Sequence, residues 1–222
     1  MKVILLILII VIGGFFYFKS SNKNKVEKPN DTVMVPEGEE VLKDLQGNFV
    51  FDTEASSAKW TGSKKIIKDY YDSGSIKIKS GNASFKNGII ENGEIVFDMT
   101  SISGEETSNT KIPITKLNEH LKSEDFFNVE MYPEATYKVT EGKKTLEGYI
   151  LIGELTLAGK TGPLNVDIKT SMKNGNVAIA GFSEIDRSKW DIKYGSDSFF
   201  DNLGDNVIND IFTLEFKIVA RP

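Results

Sequence analysis

The sequence predicts an all-β domain, a sandwich or a closed barrel, behind an apolar N-terminal segment. Three observations carry this. Apolar residues alternate with polar ones from about Gly47 to the C-terminus, turn-forming dipeptides fall between the alternating runs, and only one stretch shows clear helical spacing.

Taken in order, Met1-Lys2 is followed by an apolar run from Val3 to Phe18, which predicts a transmembrane anchor or signal segment over residues 1–19. No small-x-small cleavage site follows, and Phe15-Phe16-Tyr17-Phe18 occupy its place, so an uncleaved membrane helix is expected. The run is a little shorter than the roughly 20 residues that span a bilayer, a deficit that flanking aromatics and lysines can make up. Lys19, Lys23, Lys25 and Lys28 follow it, and by the positive-inside count alone they would hold the rest of the chain in the cytoplasm. Residues 20–46 are rich in Ser, Asn, Lys, Glu and Pro, too polar to build a core, and predict a flexible linker with at most one helical turn at Glu39–Leu45. The folded domain is expected over residues 47–222.

Within it, Phe49 and Phe51, Ile76 and Ile78, and Ile95, Phe97 and Met99 each define a strand with one buried face. Leu151, Gly153, Leu155 and Leu157 repeat the pattern, as do Val166 and Ile168, Val177 and Ile179, and Leu214 to Ala220. Turn signals lie at Asn87-Gly88, Asn92-Gly93, Glu141-Gly142, Gly159 to Pro163 and Asn174-Gly175; the first and last are the best hairpin candidates. Leu117, Leu121 and Phe127 predict a short helix over Ile114–Phe127 that crosses one end of the sheet, and a second helical turn is expected at Leu203–Asn209.

The net charge of −5 with interspersed signs argues against nucleic acid as a partner, and the absence of cysteine excludes a disulfide framework, a thiolate nucleophile and Cys-ligated zinc. Gly159-Lys160-Thr161 resembles the end of a phosphate loop, but Glu154 stands where that loop needs glycine, so a hairpin turn is expected. Ser56-x-x-Lys59, Ser80-x-Asn82 and Lys160-Thr161-Gly162 reproduce the order of elements in penicillin-recognising serine enzymes. The serine and lysine lie in a strand context instead of heading a helix, which argues against that chemistry. His120, the single histidine, is expected to be hydrogen-bonded where helix meets sheet. Asp197, Asp201 and Asp205 lack a calcium loop and read as a solvated face. No cofactor and no metal is expected, and Asn82-Ala83-Ser84 is a sequon of little weight.

Six segments in order then carry a family resemblance. Trp60-Thr61-Gly62, Phe97-Asp98-Met99-Thr100-Ser101-Ile102, Leu117 through Phe127 and Tyr132-Pro133-Glu134-Ala135-Thr136-Tyr137 are followed by Gly153 through Gly159 and by Ile185 through Trp190 with Tyr194-Gly195. Together they resemble the YceI-like family from about Gly47 to the C-terminus. The resemblance implies an eight-stranded, antiparallel, lipocalin-like barrel, exported to the bacterial cell envelope, that encloses a polyisoprenoid or another long-chain amphiphile. On that basis the barrel is expected in the periplasm or extracytoplasmic space, against the lysine count, and the N-terminal segment is the membrane contact.

Sequestration or transport of the lipid without catalysis is the expected function. Candidate lining residues are Trp60, Phe85, Phe97, Met99, Phe126 and Phe127, with Tyr137, Leu155, Phe182, Trp190 and Phe216. Extra bulk at Met99 is expected to displace ligand at little cost to the empty fold. Two alternatives stand beside this reading: a lipid-modifying enzyme working through His120 or through Asp186 with Arg187, and a stress-response scaffold with a filled barrel. A homodimer remains open as a further assembly.

Overall fold

In the computed structural model, residues 42–106 and 112–222 are described. The expected membrane segment, and the linker as far as residue 41, lie outside the described residues.

Eight antiparallel strands follow one another as β1 (Gly47–Ser63), β2 (Tyr71–Lys86), β3 (Ile89–Glu105), β4 (Glu134–Lys144), β5 (Tyr149–Leu157), β6 (Lys160–Lys173), β7 (Asn176–Asp186) and β8 (Ile211–Arg221). Each pairs with its sequence neighbours, and β8 returns to β1 between Val50↔Arg221 and Thr61↔Thr213, which decides for a closed barrel over a sandwich. The alternating residues named above are the inward ones: Phe49, Phe51, Ile76, Ile78, Ile95, Phe97 and Met99 are all buried in one continuous core with Leu151, Leu155, Val177, Ile179 and Phe216. Burying that face against its own opposite wall is the main driving force for closure.

Asn87-Gly88 and Asn174-Gly175 form the expected two-residue hairpins, with φ of 51° and 75° and of 53° and 77°. Both positions are left-handed, as a turn matched to the strand twist requires. The loop expected at Gly159–Pro163 contracts to Ala158-Gly159, and Lys160 to Pro163 belong to β6. Proline is tolerated there because β6 pairs with β7 only from Asp167 onward, so its missing N–H faces an unpaired edge.

Asn92-Gly93 and Glu141-Gly142 are not turns. They lie inside β3 and β4 beside register shifts at Ser84/Phe85 and Val139/Glu141. The same residue types that make turns also mark bulges and close backbone approach.

The helix α1 spans Ile114–Lys122, shorter than expected, because Ser123 turns extended and its N–H caps the carbonyls of Glu119 and His120. Phe126 and Phe127 follow in turns, and the second helical segment reduces to a 3-10 turn at Gly204–Asn206. Gly104 on β3 fixes where α1 lies. A Cβ there would stand 2.7 Å from Leu117 Cδ2, and the Gly104 N–H donates to Asn118 Oδ1 at 2.6 Å.

The barrel has two unlike ends. Three short hairpins, at residues 87–88, 145–148 and 174–175, close one end, where β1 also begins and β8 finishes. A 3-10 turn at Leu42–Asp44 docks there through Leu45, whose carbonyl accepts the Gly88 N–H at 3.0 Å, ahead of the expected start of the domain. The other end carries the long connections: residues 64–70, the segment holding α1, and residues 187–210.

Candidate ligand-binding cavity

The long connections enclose a cavity of about 420 Å³ at their end of the barrel. Trp60 from β1 forms part of its wall, held by its indole N–H donating to the Ser103 carbonyl at 3.2 Å. Leu117 and Leu121, one turn apart on α1, and Phe212 at the start of β8 complete the apolar lining with Phe126 and Phe127. The two phenylalanines meet edge to face at 5.7 Å, and the Phe127 N–H is fixed by the Leu121 carbonyl. Ile67, Ile112 and Tyr194 line the cavity and are also 37 %, 42 % and 46 % exposed, so it opens to solvent between them.

Beneath it the interior narrows. A gap of about 40 Å³ lies among Phe97, Met99, Leu155, Leu157 and Ile185, sharing Trp60, Phe127 and Phe212 with the cavity above. Deeper still, between Phe51, Ile95, Leu151 and Phe216, only about 10 Å³ remains, room for about one water molecule. The barrel is hollow at its long-loop end and packed at the other.

Several polar groups are set into the cavity wall. Arg187 is 2 % exposed and its guanidinium donates to four backbone carbonyls, those of Asn209 (3.2 Å), Ile192 (2.9 Å), Tyr194 (2.8 Å) and Ile208 (3.2 Å), beside Asp210 at 3.3 Å. Burial lowers its pKa, partly offset by Asp210 and Asp186. The residue clamps the 187–210 connection onto the barrel. Asp186 heads the 3-10 turn at Arg187–Trp190, accepting from the Ser188 N–H and hydroxyl. His120 packs edge-on to Tyr194 at 4.3 Å and Phe126 at 5.2 Å. Its Nε2 is buried with no hydrogen-bond partner among the described residues, which departs from the satisfied histidine expected.

Tyr70 donates to Asp72 Oδ2 at 3.0 Å. Burial, and then the neighbouring carboxylate, push the tyrosine up to about 12. Burial likewise raises the Asp72 carboxyl, against the lowering effects of the Tyr70 hydrogen bond and of Lys64. A carboxyl whose pKa is raised by folding binds more protons in the native than in the unfolded state, so stability falls as pH climbs from its unfolded value, about 3.9, through its native one. Asp72→Asn keeps an oxygen for Tyr70 and removes the charge. The variant is expected to melt no lower than the parent at about pH 7, with any gain vanishing below about pH 4; a loss confined to neutral pH would contradict this.

The eleven residues expected to line a ligand site therefore separate. Trp60, Phe126 and Phe127 wall the cavity; Phe97, Met99 and Leu155 line the gap beneath it. Phe216 borders the lowest gap, and Phe85 is packed edge to face on Phe49 at 5.4 Å in the closed end. Tyr137 fills the interior, its hydroxyl 3.1 Å from the Leu151 carbonyl and 3.2 Å from that of Leu164, and burial raises its pKa so that it stays neutral. Trp190 lies against Gly162 and donates to the Leu155 carbonyl at 3.0 Å. Phe182 alternates with the buried Gly181 and Ser183, so it stands on the outer face.

Sequence reasoning passed over Tyr70, Asp72, Ile208 and Phe212 as wall residues. The i, i+4 pair Leu117 and Leu121 was visible as an apolar helix stripe, whereas the loop residues carry no periodic signal.

The motifs weighed as chemistry are engaged in structure. The Ser56 hydroxyl donates to the Asp52 carbonyl at 2.6 Å and accepts from the Val219 N–H at 3.1 Å, stitching an irregular stretch of β1. Lys160 pairs with Asp191 and Asp197 with Lys65. Among the described residues no group of acidic or histidine side chains is arranged to hold a metal ion.

A closed meander of eight antiparallel strands, packed at one end and hollow at the other, places the chain among small barrels that present an apolar interior through one mouth. The profile of the YceI-like domain matches residues 49–220, and the chain belongs to that family. Among curated relatives, a UPF0312 protein of Yersinia enterocolitica is 42% identical over 65 residues, covering 29% of this chain and 33% of that protein. A UPF0312 protein of Photorhabdus laumondii is 40% identical over 79 residues, covering 32% and 41%. The chain thus matches a third to two fifths of the length of these relatives. Solved structures share the fold. BcnA of Burkholderia cenocepacia superposes with a TM-score of 0.60 at 18% identity, over 76% of this chain and 98% of that one. A polyisoprenoid binding domain from Saccharophagus degradans gives 0.55 at 17%, over 78% and 97%.

Proposed function

We propose that the protein binds and sequesters a long apolar, isoprenoid-like lipid without chemically altering it, outside the cytoplasm, held at a membrane by residues 1–19. The observation that carries this reading is the apolar cavity of about 420 Å³ opening between Ile67, Ile112 and Tyr194. Its volume falls within the ~300–1,000 Å³ range of small-molecule sites and is nearly three times the ~150 Å³ that accommodates benzene. Each methylene withdrawn from water contributes about 0.8 kcal/mol, so a prenyl chain needs few polar contacts to be retained. The Saccharophagus domain of the same fold is described as polyisoprenoid-binding, which supports the same cargo class here.

The cavity takes one end of such a ligand. A longer chain must displace Phe97, Met99 and Leu155 or continue out through the mouth. The packed lower half belongs to the filled-barrel reading, and the two descriptions apply to different halves of one molecule. The apolar run Val3–Phe18 supports attachment, and the envelope location follows the family resemblance.

One preparation tests both parts. The intact chain, recovered from membranes of its native host, is extracted with organic solvent and the extract examined by mass spectrometry. An apolar amphiphile at near-equimolar ratio is the expected result; a repeatedly empty extract would refute the cargo. Proteolysis of sealed vesicles that reaches the domain only from the cytoplasmic face would refute the location.

A further inference from the structure

We propose that the mouth of the barrel docks on a zwitterionic lipid bilayer with its rim among the head groups, so that cargo passes between membrane and cavity without crossing water. Of the large apolar side chains exposed among the described residues, all but Val50, Tyr71 and Leu146 lie on the three long connections. Ile66-Ile67 and Phe199-Phe200 form two exposed doublets, on residues 64–70 and 187–210. Lys65 joins these connections: it pairs with Asp197 at 2.6 Å, and its N–H donates to the Val207 carbonyl at 3.0 Å. Ile66 follows Lys65 and Phe199 lies two residues past Asp197, so the doublets flank one ion pair. Ile67, Ile112 and Tyr194 are exposed and also line the cavity, so the rim and the interior share residues.

Exposed apolar clusters of this kind mark docking surfaces, and three features select a bilayer as the occupant. The cluster surrounds the opening of an apolar cavity, and a bilayer is both the reservoir of an isoprenoid lipid and a surface that takes up Ile, Phe and Tyr side chains. Charge selects the lipid. Lys64, Lys65 and Lys68 stand against Asp69 on one connection, and Lys193 against Asp197 and Asp201 on the other. These signs nearly cancel, which suits a neutral head-group layer, and the next acids along, Asp205 and Asp210, weigh against an anionic one. Lys193 Nζ lies 5.1 Å from the centre of the Phe199 ring, so the ammonium can stay among the head groups while the ring enters.

Reach permits the contact. The chain enters the described fold at Leu42, whose carbonyl lies against Gly88 at the closed end. Residues 20–41 extend to about 75 Å at ~3.4 Å per residue. β1, 17 residues long and tilted in the barrel wall, rises no more than about 58 Å. Entry at the closed end therefore leaves the mouth free to meet the bilayer that takes up residues 1–19 in the reading above.

The sequence holds no cysteine, so single labels can be placed at chosen sites. Ile66→Cys and Phe200→Cys on the rim, and Leu146→Cys at the closed end, each replace an exposed side chain. Each full-length variant carries a bimane fluorophore and is mixed with phosphatidylcholine vesicles that bear a nitroxide on the acyl chain. Quenching at the two rim positions is expected to be roughly threefold or more that at the closed end, since docked apolar faces settle ~5–10 Å into the head-group boundary. Tethering alone predicts the reverse order, because Leu146 shares its end of the barrel with Leu42. Equal quenching at all three sites, the reverse order, or none at the rim would overturn the proposal. Raising NaCl to about 0.5 M is expected to leave the difference unchanged, because apolar insertion is not screened; its loss in salt would assign the contact to charge and overturn the proposal too. A spectral shift at the rim that needs no vesicles and fades on dilution would give the surface to a second copy of the chain, with the same consequence. The labels report bilayer contact whether or not the cavity holds cargo, so this test and the solvent extraction fail separately.

Discussion

Leu121→Trp is expected to abolish retention of bound lipid while lowering the melting temperature of the ligand-free protein by only a few degrees. Leu121 is buried on α1 and its side chain borders the cavity of about 420 Å³, so the larger indole enters empty space. Met99→Trp, a comparable gain in bulk, provides the control. Met99 is 4 % exposed and borders a gap of only about 40 Å³, too small for the added ring, so this change overpacks the core at a cost of about 1–3 kcal/mol. The structure thus reverses the expectation that bulk at Met99 would be cheap for the empty fold. Solvent extraction and thermal melts of both variants check the pair: a Leu121→Trp protein that keeps its full lipid complement would place the ligand somewhere other than this cavity.

Arg187→Met is expected to destabilise the protein by about 3–5 kcal/mol, the penalty for removing one partner from a buried ion pair. For a domain of this size that corresponds to a fall of about 6–20 °C in the melting temperature. The substitution strips donors from four carbonyls and leaves Asp210 without the guanidinium beside it. Arg187→Lys keeps the charge but cannot reproduce a planar fork directed at several carbonyls, so it is expected to recover only a minor part of the loss. Full recovery with lysine would show that charge, and not the directed hydrogen bonds, holds the connection in place. Denaturant unfolding of the two variants distinguishes these outcomes.

The parts of the barrel that could be read in the chain are those where one local rule decides. Phe97 and Met99 face inward because period two leaves no alternative once Ile95 is buried, and Asn87-Gly88 turns because both positions take positive φ. Glycine elsewhere is ambiguous. In Glu141-Gly142 it serves the close approach of β4 to the Ile90 carbonyl, 2.2 Å from where a Cβ would sit, and no window of a few residues separates that use from a turn.

Parity explains Phe182. Val177 and Ile179 already set the inward face of β7, and continuing by twos reaches Gly181 and Ser183, so the phenylalanine falls outside despite its hydrophobicity. Phe216 then occupies the space left over Gly181, from whose missing Cβ its ring would be 2.1 Å distant.

The cavity was the least legible part because its wall comes from connections with no period. Tyr70 and Asp72, Ile208 and Phe212, and Tyr194 converge only after β1, β2, β7 and β8 have paired, and Arg187 sets the last of these connections through carbonyls that any residue would provide. A buried arginine beside an aspartate reads in sequence as a candidate catalyst. In three dimensions its hydrogen bonds are directed at main chain.

Closure through β1 and β8 also sets the order in which the molecule can be made. Asp52 pairs with Arg221 across 169 residues, so the last seam joins the first strand to the last. Contacts of such separation pay the entropy of closing nearly the whole domain before they return any energy, which slows folding. Until β8 has left the ribosome, β1 and β7 both present open edges, and the chain cannot complete its barrel. A polypeptide emerging from its N-terminus therefore keeps these edge strands unprotected until β8 has been made.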